Sequence, residues 1–211
     1  MHPENTTFEE DPVPRTDNSP ISAHDTLFEP VLGRERVFDW VFLHCDRLTV
    51  RLPDGRACAR EVVLIRHAVA VLPMDASGTV HLIRQHRPAI GRTLIEVPAG
   101  LGDEGEPLCD AAVRECEEET GFRPGTLRQL LTYAHAEGYS TGFVTLYLGT
   151  DLECTGKKAL DPNEFVEPVE MPFTELVRMV HAGSIVDSKT ILCALLAERW
   201  AGSGPAEAPC V

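Results

Sequence analysis

Three glutamates at helical spacing are the part of this sequence most suited to chemistry. Glu115, Glu118 and Glu119 lie in a segment that follows Pro107 and ends before Gly121. Proline at the first position and glycine just past the end are typical of a helix, which we predict over residues 107–120. At about 100° per residue, the three carboxylates fall within an arc of about 100° on one face.

The remaining faces of this helix have different compositions. The apolar residues gather on a separate face that suits packing against a sheet: Cys109, Ala112, Val113 and Cys116. Ala111 is predicted to lie inside the acidic face, where a small side chain leaves room for ligands. Arg114 lies beside the acidic face and could pair with a carboxylate and orient it.

Like charges on adjacent turns repel one another and destabilise an isolated helix. Mg²⁺ is a hard cation that prefers carboxylate oxygens and bridges to substrate phosphates. A carboxylate cluster of this kind can bind metal, polarise a phosphoryl group and lower the pKa of a bound water. The alternative interpretation of the three glutamates alone is a solvated acidic helix face.

The residues around the glutamates resemble the Nudix box, G-x5-E-x7-R-E-U-x-E-E-x-G-U, in which U is apolar. The fixed and apolar positions are filled by Gly100, Glu106, Arg114, Glu115, Cys116, Glu118, Glu119, Gly121 and Phe122. At about one in twenty per position, a chance match of the seven fixed residues arises roughly once per billion starting points. The resemblance implies a Mg²⁺-dependent or Mn²⁺-dependent hydrolase of diphosphate linkages.

The likeness extends over about residues 36–200 and resembles the ADP-ribose/ADP-sugar pyrophosphatase branch of that family. Residues 84–88 (RQHRP) precede residues 96–100 (EVPAG), as in members of that branch. Residues 163–167 (NEFVE) resemble a loop that carries an additional glutamate. Residues 183–190 (GSIVDSKT) resemble the start of the family's last helix.

The resemblance implies roles for individual residues. The metal contacts would be Glu115, Glu118, Glu119, the carbonyl of Ala99 and Glu96. Arg87 would contact the diphosphate or the terminal ribose of the substrate. Glu164 would position the attacking water or act as general base, and its alternative is an ordinary loop glutamate. The catalytic set is thus Glu164, Glu118, Glu115 and Arg114.

Substrate contacts are also expected outside the box. Trp40 matches an aromatic that stacks on adenine in a relative, and a core or dimer-interface tryptophan is the alternative. Glu61 lies where relatives contact the base. ADP-ribose hydrolases usually carry proline in the loop after the box, but here Glu137 takes its place before Gly138. Glu137 could be a metal ligand, a changed selectivity element or a solvated loop residue.

The order of predicted elements indicates an α+β protein with the Nudix fold, in which a mixed β-sheet is sandwiched between helices (α/β/α). Residues 1–35 are predicted to be a disordered, Pro-rich acidic arm, and residues 202–211 a flexible tail. A two-strand hairpin over residues 36–66 would form a small antiparallel N-terminal domain that dimerises, and residues 67–201 would form the hydrolase domain.

Residues 69–72 and 80–84 are predicted to be a second hairpin. Further strands are predicted over 94–97, 127–135, 143–148 and 165–170, and further helices over 172–182 and 187–200.

Composition narrows the possible partners. The formal net charge of −14 makes nucleic-acid polymers poor partners and favours a metal as the bridge to an anionic substrate. The seven cysteines include no C-x-x-C pair, and neither a signal peptide nor an apolar membrane span is visible in the sequence. We therefore expect a cytoplasmic enzyme, and the resemblance implies a homodimer.

The function expected from these patterns is hydrolysis of ADP-ribose or a related nucleoside diphosphate sugar to a nucleoside monophosphate and a sugar phosphate. The same chemistry on GDP-mannose, NADH or a dinucleoside polyphosphate is the first alternative. A non-catalytic Nudix module that senses a nucleotide is the alternative from a different class.

Overall fold

A computed structural model of the chain describes residues 25–40, 43–160 and 163–201. For residues 200 and 201 it describes the backbone alone. The chain divides into two compact units. Among the described residues, the first unit comprises those within 25–65 and 136–141, and the second comprises those within 66–135 and 142–201. The tail predicted over 202–211 lies outside the described residues.

The first unit contains an antiparallel sheet of three strands in chain order. They are β1 (Val31–Asp39), β2 (His44–Arg51) and β3 (Ala57–Leu64). The predicted turn at residues 52–55 is present, since the Gly55 N–H bonds to the Leu52 carbonyl at 2.9 Å and Gly55 has a φ of 89°.

Two details of this unit differ from the sequence prediction. The predicted first strand is two strands, because the chain turns after Asp39 and the Trp40 N–H bonds to the Leu43 carbonyl at 3.0 Å. Residues 31–35, assigned to the disordered arm, instead belong to β1 and pair with β2 from Val31 onward. Residues 1–24 of that arm lie outside the described residues.

The first unit also contains a segment from the middle of the chain. Ser140 forms a parallel bridge with Val63, whose N–H bonds to the Tyr139 carbonyl at 2.7 Å. The Val63 carbonyl in turn accepts from the Thr141 N–H at 3.0 Å. This association was not predicted, because residues more than seventy positions apart carry no local signal of pairing.

The second unit contains seven strands and three helices. The strands are β4 (Ala68–Pro73), β5 (Thr79–Arg87), β6 (Arg92–Glu96), β7 (Ala99–Leu101), β8 (Phe122–Ala134), β9 (Phe143–Cys154) and β10 (Val166–Pro172). The helices are α1 (Leu108–Thr120), α2 (Phe173–His181) and α3 (Ser188–Ala201). A mixed sheet has the order β7-β4-β9-β8 with β4 and β9 parallel, and an antiparallel sheet has the order β10-β5-β6.

The predicted hairpin of residues 69–72 and 80–84 is wrong as a sheet pairing. Strands β4 and β5 belong to different sheets, and an isolated bridge joins Met74, the residue after β4, to Val80 of β5. Asp75 holds the connecting turn, since its carboxylate accepts the N–H groups of Ser77 and Thr79. The turn signal was correct, but β4 pairs with β7 and β9, which the local sequence does not reveal.

Helices cover both faces of the mixed sheet, as the sequence predicted. Val69 and Val71 of β4 pack with α1 in one core cluster. The alternate residues Ala70 and Leu72 pack with α2 and α3 in another. The period-two alternation of β4 therefore directs α1 to one face and the later helices to the other.

Helix α1 ends as predicted. Gly121 adopts a φ of 80° and its N–H bonds to the Glu117 carbonyl at 2.8 Å, closing the helix in a conformation that glycine adopts without strain. Pro107 is the residue before the helix and not its first residue. Within the described ranges, no helix is both long and apolar enough to cross a membrane.

Candidate active site

The acidic face of α1 lies against strand β7. A Cβ atom built on Gly100 would lie 2.1 Å from the Glu115 carboxyl carbon and within 2.3 Å of both its oxygens. Only glycine leaves space for that carboxylate beside the backbone. The prediction for Ala111 is wrong in one respect, because its side chain is fully buried in the core cluster beneath α1 and does not line an open acidic face.

Arg114 organises the glutamates around it, as the sequence suggested. Its guanidinium forms two hydrogen bonds of 2.9 Å with Glu106. Its Nη1 donates to Glu115 at 2.7 Å and to Glu118 at 3.2 Å, and its Nη2 donates to the Leu101 carbonyl at 3.3 Å. Arg114 therefore fixes two of the predicted metal ligands relative to each other and to the loop before α1.

Glu106 belongs to the same network. Besides Arg114, its carboxylate accepts the Asp103 N–H at 2.9 Å. The hydrogen bonds from Arg114, followed by the one from Asp103, lower the pKa of Glu106 to about 2. Glu106 is thus an anion across the physiological range and keeps Arg114 in place.

Glu119 is the most buried of the three glutamates, with 2% of its surface exposed. Its Oε2 accepts the Ala99 N–H at 2.9 Å, which connects α1 to β7. Burial is the main cause that raises the pKa of Glu119 to about 8, and the charges of Glu164 and Glu115 act in the same direction. Burial therefore favours the protonated form of Glu119, and a bound cation would favour its ionised form.

Glu164 joins this cluster from the loop before β10. The Gln85 amide donates to Glu164 Oε1 at 3.2 Å. The pKa of Glu115 is raised by burial, against the opposing effect of Arg114, and the charges of Glu118 and Glu164 add to the rise. Since Glu164 acts on both Glu115 and Glu119, the structure brings the predicted loop glutamate to the acidic helix face.

These residues suit a divalent metal in their donor type. Burial raises the pKa of both Glu115 and Glu119, repulsion from Glu164 adds to each rise, and the Gly100 backbone leaves space for the Glu115 carboxylate. A hard divalent cation relieves such repulsion and prefers these oxygen donors. In this structure the carboxylates of Glu115 and Glu118 accept hydrogen bonds from Arg114, and that of Glu119 accepts one from the Ala99 N–H. Accordingly, the described residues contain no group of three acidic, histidine or cysteine side chains gathered around one point.

Glu96 and Arg87 form a pair with each other. The Arg87 Nε and Nη2 donate to the two Glu96 oxygens at 2.8 and 2.7 Å. The Lys189 ammonium lies 3.2 Å from Glu96 Oε2. Burial acts to raise the pKa of Glu96, but Arg87 and Lys189 together hold it below its usual range. From the family resemblance we expected Glu96 to contact the metal. In the structure its oxygens instead bind the side chains of Arg87 and Lys189.

The four remaining predicted substrate contacts all belong to the first unit. Trp40 is 67% exposed and stacks on Phe38 with ring centroids 6.4 Å apart, so it is not a core residue. Glu61 is exposed and lies 3.6 Å from Arg47. Glu137 and Gly138 lie in the exposed loop whose Tyr139 bonds to β3.

Three residues that support this site were not predicted from the sequence, namely Gln85, Asp187 and Lys189. Gln85 holds Glu164, and Lys189 with Asp187 supports Glu96. Lys189 lies 2.6 Å from Asp187 Oδ1, and Asp187 Oδ2 accepts the Thr190 N–H at 2.9 Å at the start of α3. An aspartate three residues before a threonine, ahead of an apolar helix, was the available signal for a helix cap.

Comparisons with known proteins agree with this geometry. A family model described as the NUDIX domain matches residues 64–191. An ADP-ribose pyrophosphatase of Bacillus subtilis is 32% identical over 166 residues, which cover 78% of this chain and 90% of that protein. An ADP-ribose pyrophosphatase of Mycobacterium tuberculosis is 38% identical, with 67% and 70% of the two chains covered.

Two further proteins extend the comparison. A GDP-mannose pyrophosphatase of Escherichia coli is 33% identical over 143 residues, covering 63% of this chain and 74% of that one. The crystal structure of an ADP compounds hydrolase shares the fold, with a TM-score of 0.74 at 22% identity over 83% of this chain and 96% of that chain. With a complete set of box residues assembled around α1, this chain belongs to the Nudix hydrolase family.

Proposed function

We propose that this enzyme hydrolyses the diphosphate linkage of ADP-ribose, or of a related nucleoside diphosphate sugar, with Mg²⁺ as its metal. The products are a nucleoside monophosphate and a sugar phosphate. The observation that carries this proposal is the complete Nudix box around α1, in which Arg114 bonds to Glu106, Glu115 and Glu118 while Glu119 accepts the Ala99 N–H. The two ADP-ribose pyrophosphatases among its relatives support ADP-ribose as the substrate.

The metal site is proposed to consist of Glu115, Glu118, Glu119 and the Ala99 carbonyl. A bound Mg²⁺ would offset the negative charge that develops on the diphosphate oxygens. Mn²⁺ accepts the same oxygen ligands and is the alternative metal. Because Glu96 is already bonded to Arg87 and Lys189, we assign it to the support of Arg87 and leave it out of the metal set.

The chain's own groups then have distinct tasks. Glu164 accepts a proton from the attacking water, and the Gln85 amide keeps its carboxylate oriented. Arg87 has 40% of its side chain exposed and binds a phosphate or the terminal ribose. Arg114 touches no substrate in this scheme and orients Glu115 and Glu118, so catalysis rests on positioning and electrostatics.

The proposal is tested by incubating the protein with ADP-ribose and Mg²⁺ and separating the products by chromatography. We expect turnover that Glu118→Gln lowers by at least about 100-fold, since removal of a group that stabilises the transition state costs this much. Glu175→Gln is the matched control, because Glu175 is an exposed helix glutamate paired with Arg178. Wild-type turnover by Glu118→Gln would contradict the metal assignment.

GDP-mannose is the second candidate substrate. It is supported by the similarity to GDP-mannose pyrophosphatases and by Glu137, which stands where ADP-ribose hydrolases usually carry proline. The same assay should therefore include GDP-mannose, NADH and a dinucleoside polyphosphate. If ADP-ribose is untouched while another compound is cleaved, the substrate assignment is wrong. Nucleotide binding without any turnover would favour a sensing module.

We further propose a cytoplasmic homodimer. Large apolar side chains are exposed along β1 and beyond it, as expected of a surface that another protein covers: Val31, Leu32, Val37, Phe38 and Trp40. The six described cysteines are free thiols, in keeping with a reducing compartment. Light scattering of the full chain would decide the oligomeric state, and a monomer at micromolar concentration would contradict the proposal.

A further inference from the structure

We propose that Lys189 is a positioning residue of the diphosphate site, which together with Asp187 holds Glu96 so that Glu96 fixes the guanidinium of Arg87. This inference rests on the proposed function in one respect, namely that Arg87 contacts the substrate. Lys189 lies on α3, far in sequence from Arg87 and from the Nudix box.

The pairing of Arg87 with Glu96 sets the plane of the guanidinium. Two parallel hydrogen bonds of 2.8 and 2.7 Å join the groups, a geometry that fixes orientation as well as distance. Glu96 is only 1% exposed, whereas 40% of the Arg87 side chain is exposed. Arg87 is therefore anchored at its buried edge and presents the rest of its guanidinium outward.

Lys189 completes the surroundings of Glu96. Its ammonium is 3.2 Å from Glu96 Oε2 and 2.6 Å from Asp187 Oδ1, and 18% of its side chain is exposed. The order Arg87, Glu96, Lys189 and Asp187 alternates in charge, so each carboxylate has a cation beside it. Loss of one member of such a buried set leaves an uncompensated charge, which is strongly unfavourable.

Asp187 keeps Lys189 in place through the start of α3. Its Oδ2 accepts the Thr190 N–H at 2.9 Å and the Thr190 hydroxyl at 2.7 Å. The Thr190 Oγ1 also accepts the Val97 N–H at 2.8 Å, one residue after Glu96. The first turn of α3 thus fixes both the backbone beside Glu96 and the ammonium that binds its side chain.

The anchoring of Arg87 is also linked to the acidic helix α1. The charge of Glu119 is among the causes that raise the pKa of Arg87, after the dominant hydrogen bonds to Glu96 and against the effect of burial. Glu96, which anchors Arg87, lies three residues before Ala99, whose N–H bonds to Glu119 of α1 at 2.9 Å. The orientation that Lys189 secures therefore bears on how tightly Arg87 holds the substrate, which is an effect on KM.

The test compares Lys189→Met, Lys189→Arg and the control Arg178→Met, which removes an exposed cation from an ion pair on α2. For Lys189→Met we expect KM for the cleaved nucleoside diphosphate sugar to rise about tenfold and kcat to change less than about threefold. Lys189→Arg restores the cation and should recover KM to within about threefold of wild type. Arg178→Met should leave both constants unchanged.

A double-mutant cycle distinguishes positioning from a general effect on the fold. If Lys189 acts through Arg87, adding Lys189→Met to Arg87→Ala should change kcat/KM by less than about twofold. If Lys189 only stabilises the fold, the two losses multiply, and this result would overturn the proposal.

An independent readout does not need activity. The Arg87 Nε–H signal, assigned by its loss in Arg87→Ala, should shift in the NMR spectrum of Lys189→Met and stay in place in Arg178→Met. If Lys189→Met does not fold, Asp187→Asn serves instead, since asparagine still caps a helix but removes the charge beside Lys189. An unmoved signal in the folded variant overturns the proposal. If the wild-type protein cleaves no nucleoside diphosphate sugar, the proposed function fails, while this signal still decides the role of Lys189.

Discussion

Gly100→Ala offers a direct test of how closely strand β7 and helix α1 fit. The added methyl would lie 2.1 Å from the Glu115 carboxyl carbon and 2.2 and 2.3 Å from its oxygens, all well inside van der Waals contact. The backbone of Gly100 has no positive φ that would exclude alanine. Because the obstacle is the end of a flexible side chain, Glu115 must move while the fold persists.

The effect on stability should be modest. Alanine in place of glycine stabilises a compatible position by about 0.4–1 kcal/mol through the unfolded chain. Displacing Glu115 breaks its 2.7 Å hydrogen bond to Arg114, and a hydrogen bond to a charged group contributes about 1.5–3 kcal/mol. The balance is a loss of about 1–2 kcal/mol, or about 5 °C in Tm for a protein of this size.

The effect on metal activation should be larger. Disturbing the residues around a metal ligand typically lowers metal affinity about 10–100-fold, and here the predicted ligand itself is displaced. We expect the Mg²⁺ concentration for half-maximal activity to rise at least about tenfold in Gly100→Ala, measured by titrating Mg²⁺ against product formation.

Gly102→Ala is the control for this prediction, from the same segment. A Cβ atom there would meet its nearest neighbour, the His67 carbonyl oxygen, at an ordinary 3.6 Å. It should respond to Mg²⁺ like the wild type. If Gly100→Ala also keeps the wild-type Mg²⁺ response, the Glu115 carboxylate beside Gly100 is not part of the metal site.

Two further predictions concern ionisation. Because Arg114 lowers the pKa of Glu106 to about 2, the stability that this pair contributes is complete above the ordinary glutamate pKa and is lost as the pH falls toward 2. The free energies of unfolding of wild type and Glu106→Gln in urea should therefore differ most above about pH 5 and approach each other as the pH falls from about 4 toward 2, and a constant difference over that range would contradict this. Burial raises the pKa of the Cys116 thiol to about 12 and also raises that of Cys193, while Cys154 is exposed. A thiol reagent followed by mass spectrometry should label Cys154 in the folded protein before Cys116 and Cys193, and equal labelling would show that α1 and α3 open readily.

The sequence predicted those features that depend on local pattern and on the box. The existence of helix α1 to within one residue of its start, the shared face of its glutamates and its end before Gly121 follow from periodicity and glycine chemistry. The placement of helices on both faces of the mixed sheet followed from the order of elements. The partnership of Arg114 with nearby carboxylates was also correctly anticipated.

Tertiary contacts decided what the sequence did not reveal. The helical angle predicted Ala111 inside the acidic face, but it is buried in the core cluster with Val69 and Val71 of β4. Lys189 and Glu96 are 93 positions apart, and neither residue signals the other. The turn between β4 and β5 predicted a hairpin, but the two strands belong to separate sheets. Strand β4 pairs with β7 and β9, and β5 pairs with β6 and β10.

The first unit has a consequence for how the chain reaches its native state during synthesis. Its sheet is continuous in sequence, but the segment that bonds to Val63 leaves the ribosome only after Thr141 has been made. Domains generally fold in the order of their synthesis. Here the N-terminal strands must wait with an incomplete edge until the whole of α1 and β8 has been translated. The unit at the beginning of the chain therefore cannot be completed before residue 141 of 211 has been made.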